Sequence, residues 1–142
     1  MVEVSLTALV KVTGGPSMPL EATLLPLSYS VASVDLPAAA DPETPSSTTV
    51  PLLPDDGTVT LLSVRARTGS GTEATVTVTP TGGPEPDPVL TVNGMLLVSN
   101  ADVLARIVTG GPRELTIGNA AAEPVVVDIL ALLDPAPEPP TP

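Results

Sequence analysis

The groups able to do chemistry in this sequence are 16 carboxylates, five basic residues, one phenol and many Ser and Thr hydroxyls. His and Cys are both absent, so thiolate and imidazole catalysis are closed, as is zinc or iron–sulfur ligation by those side chains. Hydroxyls abound, but no imidazole stands ready to activate one. Two carboxylates ~5–9 Å apart can hydrolyse a glycoside, yet a single aromatic residue leaves no stacking platform for a sugar. The sequence therefore reads as that of a non-enzyme, with no cofactor and no metal.

Four places remain where residue type and spacing invite a site. Asp55-Asp56-Gly57 has calcium-loop chemistry, but the spacing of the helix–loop–helix calcium site and its closing Glu are absent, so a solvated turn is expected. Glu85 and Asp87 alternate with prolines and read as solvated loop charges. Tyr29, the sole ring, reads as a packed side chain with its hydroxyl at the rim. Arg65 and Arg67, two of the four arginines, project from one face of a strand in an acidic molecule. A cross-strand partner, Glu73, accounts for Arg67. Arg65 either pairs within the chain or reaches an acidic patch on another subunit.

The elements that position these residues follow from composition. The chain has 142 residues and a net charge of −11, enough for one domain. Its acidity and single ring argue against nucleic acid, which calls for a basic patch and stacking aromatics. No stretch approaches the ~18 apolar residues of a membrane-spanning helix. The start, MVEVSLTALV, lacks the basic region of a secretory signal. Val and Thr total 37 residues and Leu 19, punctuated by 19 Pro and 11 Gly, which is a β composition. Sparse amides, no Cys and many prolines suit heat tolerance or a GC-rich coding bias equally.

Residues 2–13 alternate strictly. Val2, Val4, Leu6, Ala8, Val10 and Val12 share one face, and Gly14-Gly15-Pro16 closes the strand. Leu20–Leu36 is strand-like with an interruption at Pro26, and Thr48–Leu53 reads as a short edge strand. Thr58–Arg67 and Thr72–Thr79 read as a hairpin whose apolar faces align only with Ala66 opposite Ala74 and Arg67 opposite Glu73. Pro80–Pro88 reads as a loop. Asn93-Gly94, between Val89–Val92 and Met95–Ser99, is a strong hairpin signal. Residues 101–108 are read as a strand, with a helix capped by Asn100 as the alternative. Pro124–Leu133, apolar on both faces, reads as a central strand. TGGP at 13–16, 81–84 and 109–112 follows no period and reads as a reused turn. The expected fold is all-β: a single antiparallel β-sandwich of nine or ten strands, jelly-roll or Greek-key like, with extended termini. Residues 1–133 form the domain, and 134–142, DPAPEPPTP, form an extended polyproline tail.

The alternating strand at 2–13, the ending TIGNAAAEPVVVDILALL and the proline-rich tail resemble the decoration proteins of tailed-bacteriophage capsids. The resemblance implies a β-rich homotrimer on the outside of the virion shell, bound to the major capsid protein and stabilising it by bridging subunits. Under that reading Arg65, Arg67, Pro135, Pro137, Pro139 and Pro140 are the partner-binding candidates. An immunoglobulin-like module of a bacterial surface protein and a phage tail or fibre component are the alternatives.

Overall fold

Period-two alternation of Val, Thr and Leu folds as expected into strands that bury one face. The computed structural model describes residues 3–26, 28–52, 57–81, 88–108 and 111–134. The strands are β1 (Val4–Lys11), β2 (Ser17–Leu24), β3 (Ser28–Leu36), β4 (Ser46–Pro51), β5 (Thr58–Thr68), β6 (Thr75–Thr81), β7 (Leu90–Asn93), β8 (Met95–Val98), β9 (Glu114–Asn119) and β10 (Val125–Asp134). A short helix, α1 (Ala101–Ile107), joins β8 to β9.

The last eight strands nest like a folded hairpin. β3 pairs with β10, β4 with β9, β5 with β8 and β6 with β7, all antiparallel. Successive pairs go alternately to two sheets. Each sheet then closes laterally, β10 on β5 and β9 on β6. The resulting orders, β3-β10-β5-β8 and β4-β9-β6-β7, are those of a jelly roll. β1 and β2 stand apart as a two-stranded sheet.

The core lies between the two four-stranded sheets. Val64, Ala66, Val127, Ile129 and Ala131 face it from one sheet; Val76, Val78, Val92, Leu115 and Ile117 face it from the other. With no Phe or Trp to fill space, small branched aliphatics interdigitate. The buried polar side chain among the described residues is Asn119. Its Nδ2 donates to the carbonyls of Pro37 (3.0 Å) and Glu123 (2.9 Å), and its Oδ1 accepts from the Ala121 amide (3.0 Å).

Several expectations hold. β10 is central and its inward residues are buried. β4 is an edge strand. The Gly14-Gly15-Pro16 segment turns β1 into β2, with Gly14 at φ 74° and the Val12 amide donating to the Pro16 carbonyl at 3.0 Å. β10 runs one residue past the expected boundary, placing Asp134 opposite Thr58.

Five expectations are corrected. Residues 101–107 are helical, because Asn100 caps the amides of Asp102 (3.0 Å) and Val103 (3.2 Å), and the helical turn sets Leu104 and Val108 on one buried side. The 58–67/72–79 hairpin exists only at its tip. Arg67 bridges Glu73 and the Ala74 amide donates to the Ala66 carbonyl (3.1 Å), in the expected register. Beyond that point β5 and β6 diverge into opposite sheets, since each finds a longer partner there, β10 and β9. Asn93-Gly94 is likewise no hairpin. β7 belongs to one sheet and β8 to the other, and Gly94 (φ 83°) is the corner between them. The Leu20–Leu36 run is two strands, β2 and β3, with β2 ending at Leu24 before Pro26, which can donate no ladder hydrogen bond. Pro80 lies inside β6 rather than in a loop, at a position where β7 no longer pairs with that strand and no donor is required.

Candidate interaction surfaces

The strand–turn–strand of β1 and β2 is an arm with two unlike faces. Direct cross-strand partners share a face. Val4, Leu6, Ala8 and Val10 therefore sit beside Leu24, Ala22, Leu20 and Met18, and that face is wholly apolar. The other face carries Ser5, Thr7, Leu9 and Lys11 beside Thr23, Glu21, Pro19 and Ser17. Val10 (54%), Met18 (59%) and Leu20 (46%) are open to solvent. The sequence alternation thus survives into the structure, but the apolar side of the outer half of the arm is not covered by the sandwich.

The two sandwich sheets also differ in what they present outward. On the β4-β9-β6-β7 sheet the outward residues are hydroxyl-rich: Thr49, Thr75, Thr77, Thr79, Thr81, Thr91 and Thr116. Several of these bond locally, Thr49 with Thr116 at 3.0 Å, Thr75 to Asn93 at 3.0 Å and Thr81 to Glu114 at 3.1 Å. The outward side of β3-β10-β5-β8 is aliphatic at its centre. Val31, Leu130, Ser63 and Leu97 form one row across the four strands, and Ser33, Asp128, Arg65 and Met95 the next. Tyr29 (56%), Val31 (67%) and Met95 (64%) are exposed there.

Arg65 and Arg67 lie on this second face, one row apart, as their spacing in the sequence implied. The ion pair of Arg67 runs diagonally to Asp128 at 3.2 Å, and among the described residues Glu73 forms no ion pair with it. Asp128 also accepts from the Ser33 hydroxyl at 2.8 Å, so β3, β10 and β5 are tied across their outer side. Arg65 is exposed, opposite Asp128 on β10 and Met95 on β8. Asp35 lies in the row of Val126 and Arg67, and Asp134 ends β10 opposite Thr58. Around the Arg65 and Arg67 rows, two arginines stand against Asp35 and Asp128, a local balance within a chain of net charge −11.

At one end of this face the two sheets are stitched by a closed triangle of main-chain hydrogen bonds. The Ala66 amide donates to the Gly94 carbonyl (2.8 Å), Gly94 to Ala74 (2.9 Å) and Ala74 back to Ala66 (3.1 Å). A shallow recess beside it is lined by Arg65, Arg67, Glu73 and Met95.

Tyr29 is an exposed residue of the aliphatic face rather than a packed ring. Pro135, Pro137, Pro139 and Pro140 lie outside the described residues, as do Met1, Asp55, Asp56, Glu85 and Asp87. Among the described residues no cluster of three or more metal-ligating side chains occurs, and no helix is long and apolar enough to cross a membrane. Sequence reasoning singled out the arginines and the tail but missed the arm's open face. The alternation at 2–13 is visible, but its partner β2 begins at Ser17, ahead of the expected Leu20–Leu36 run, and ends before Pro26. No protein-family model matches the chain, and no curated protein matches it.

Proposed function

We propose that this protein is a structural component that attaches to the outside of an assembled bacteriophage capsid, as a homotrimer, and stabilises it by bridging shell subunits. The observation that carries this reading is the pairing of an aliphatic jelly roll with a separate two-stranded arm whose outer apolar half is exposed. A fold made to bind one small molecule concentrates its polar groups in a pocket; here the open features are broad and apolar, the form of contact surfaces. The jelly roll is shared by capsid proteins and by unrelated binding domains, so it supports the reading only as an architecture. The strand orders also speak against the immunoglobulin-like alternative, whose sheets pair ABED and CFG.

Under this reading the major capsid protein is the shell partner, and the polyproline tail is a second attachment arm that loses little entropy on docking. The test mixes purified protein with undecorated capsids and measures occupancy and heat resistance. Saturation at a fixed ratio to the shell protein, with raised heat resistance, is expected. Absence of binding by the intact chain sinks the reading. Removing residues 135–142, which leaves β10 whole, is expected to lower occupancy without unfolding the sandwich.

A further inference from the structure

We infer that the apolar face of the β1–β2 arm of one copy packs on the outer face of the β3-β10-β5-β8 sheet of a second copy, each chain giving one arm and receiving another in a closed ring. This names the contact that would hold the proposed homotrimer together, and it stands whether or not a shell is the trimer's partner.

The first argument is that one contact covers both open surfaces. A two-stranded hairpin is marginal in water unless its apolar face is packed, and Val10, Met18 and Leu20 in the outer half of this arm are exposed. The same chain exposes Tyr29, Val31 and Met95 on the sheet. Docking the arm on a foreign protein would leave the exposed part of that face bare, the Leu61 and Leu132 end being already buried within the chain.

Charge makes the second argument. Copies of a chain at −11 repel one another. The arm's apolar face carries no charge, since Glu3, Lys11 and Glu21 lie at alternate positions on the other side. The middle rows of the aliphatic sheet face are balanced, Arg65 and Arg67 against Asp35 and Asp128, with Asp134 at the far end of β10. These two surfaces meet with the least repulsion. The threonine-covered sheet already engages several of its hydroxyls locally and is suited to face water.

Area is the third. Eight residues per strand at about 3.4 Å each make a strip about 27 Å long and about 10 Å wide, so one contact buries about 500 Å² in total. That is well below the roughly 1,200 Å² at which stable interfaces begin. In a closed ring each chain makes two such contacts, as giver and as receiver, so releasing it exposes about 1,100 Å², close to that size, and closure leaves no arm or face unpaired.

The test uses full-length protein and its variants in sedimentation, with no capsid present. Leu20→Asp lies on the arm's apolar face, Val31→Asp on the receiving sheet, and Leu9→Asp on the arm's opposite, exposed face. Wild type and Leu9→Asp are expected to sediment as the same oligomer. Leu20→Asp and Val31→Asp are each expected to fall to the 14.2 kDa chain while keeping the β-sheet circular dichroism of wild type. Tyr29, the sole aromatic residue, reports directly: its fluorescence is shielded from acrylamide in the oligomer and quenched freely in the variants. Should either Asp variant lose its β-sheet signal, Leu20→Thr and Val31→Thr are read in its place, with the same weakening expected. A wild-type chain that stays monomeric, or a Leu20→Asp or Val31→Asp chain that assembles normally, overturns the inference. A monomer that nonetheless binds capsids would overturn it and leave the shell reading standing; a ring that ignores capsids would do the reverse.

Discussion

The side-chain amide of Asn119 holds the main-chain carbonyl of Pro37, at 3.0 Å, across the end of the sandwich. The same side chain takes the Glu123 carbonyl and the Ala121 amide, so the β9–β10 connection and the segment after β3 are fixed by one buried residue. The Ala39 amide, donating to Ala121 at 2.8 Å, closes the arrangement. Two acceptors must meet an NH2 and one donor must meet a carbonyl, which only an amide side chain satisfies here.

Asn119→Ala is therefore expected to lower stability by about 2–3 kcal/mol, by stranding buried main-chain groups. Asn119→Asp is expected to cost more, since a carboxylate would face two carbonyl oxygens without water. Urea titration followed by circular dichroism measures both. A loss under about 0.5 kcal/mol for Asn119→Ala would show that water replaces the amide readily.

Gly94→Ala tests the corner between the sheets. The backbone sits at φ 83°, and an added Cβ would lie 2.9 Å from the Glu73 carboxyl carbon. The conformation alone costs about 1–2 kcal/mol for an alanine. The clash is cheaper, because the Glu73 carboxylate can swing away. In a Glu73→Ala background the penalty should shrink only slightly. If it vanishes, crowding rather than conformation is what glycine relieves.

The Arg67–Asp128 pair is half exposed, and its coupling in a double-mutant cycle should be under about 1 kcal/mol and should weaken with salt. The Arg67 and Glu73 cycle should give a coupling near zero. A larger value for Glu73 would restore the cross-strand pair that the sequence suggested.

Asn100→Ala should cost about 1 kcal/mol through loss of the α1 cap, and Asn100→Ser or Asn100→Asp should retain most of it. Thermal melts on the three variants decide this. Equal loss in all three would mean that Asn100 acts through something other than its side-chain acceptor.

Self-association should strengthen as salt rises, because screening reduces repulsion between acidic copies while the contact itself is apolar. Sedimentation across a salt series measures it. An oligomer that dissociates in salt would point to an ionic interface.

Most of the architecture was legible where a segment's pattern and its partner agreed. β10 reads as central because Val125–Leu133 is apolar on both sides, and β4 reads as an edge because Pro51 tolerates no second neighbour. The Ala66–Ala74 register was legible because only one alignment keeps both apolar sets inward. What escaped was the choice of sheet. Local turn signals at Gly69–Gly71 and Asn93-Gly94 say that the chain reverses, and they are silent on whether the next strand stays in the same layer. That choice belongs to β9 and β10, far along the chain, which draw β6 and β5 apart. The helix at 101–107 escaped for a related reason: in so short a segment a single cap outweighs the β preference of Val103 and Ile107. Of the interaction surfaces, the arginine pair was legible from spacing alone. The arm's open face was not, because exposure depends on what the rest of the molecule fails to cover.

The central place of β10 has a consequence for the order of synthesis. β3 and β5 flank it and bond to it rather than to each other, as the bond between Ser33 and Asp128, 95 residues apart, illustrates. While the chain emerges from the ribosome, at about 5–20 residues per second, both strands wait with bare edges until residues 125–134 arrive. A nascent chain cut short before that point has no means of closing the sheet. Until β10 arrives, the β3 and β5 edges are open to pairing with other chains, so the strand order itself sets how long that exposure lasts.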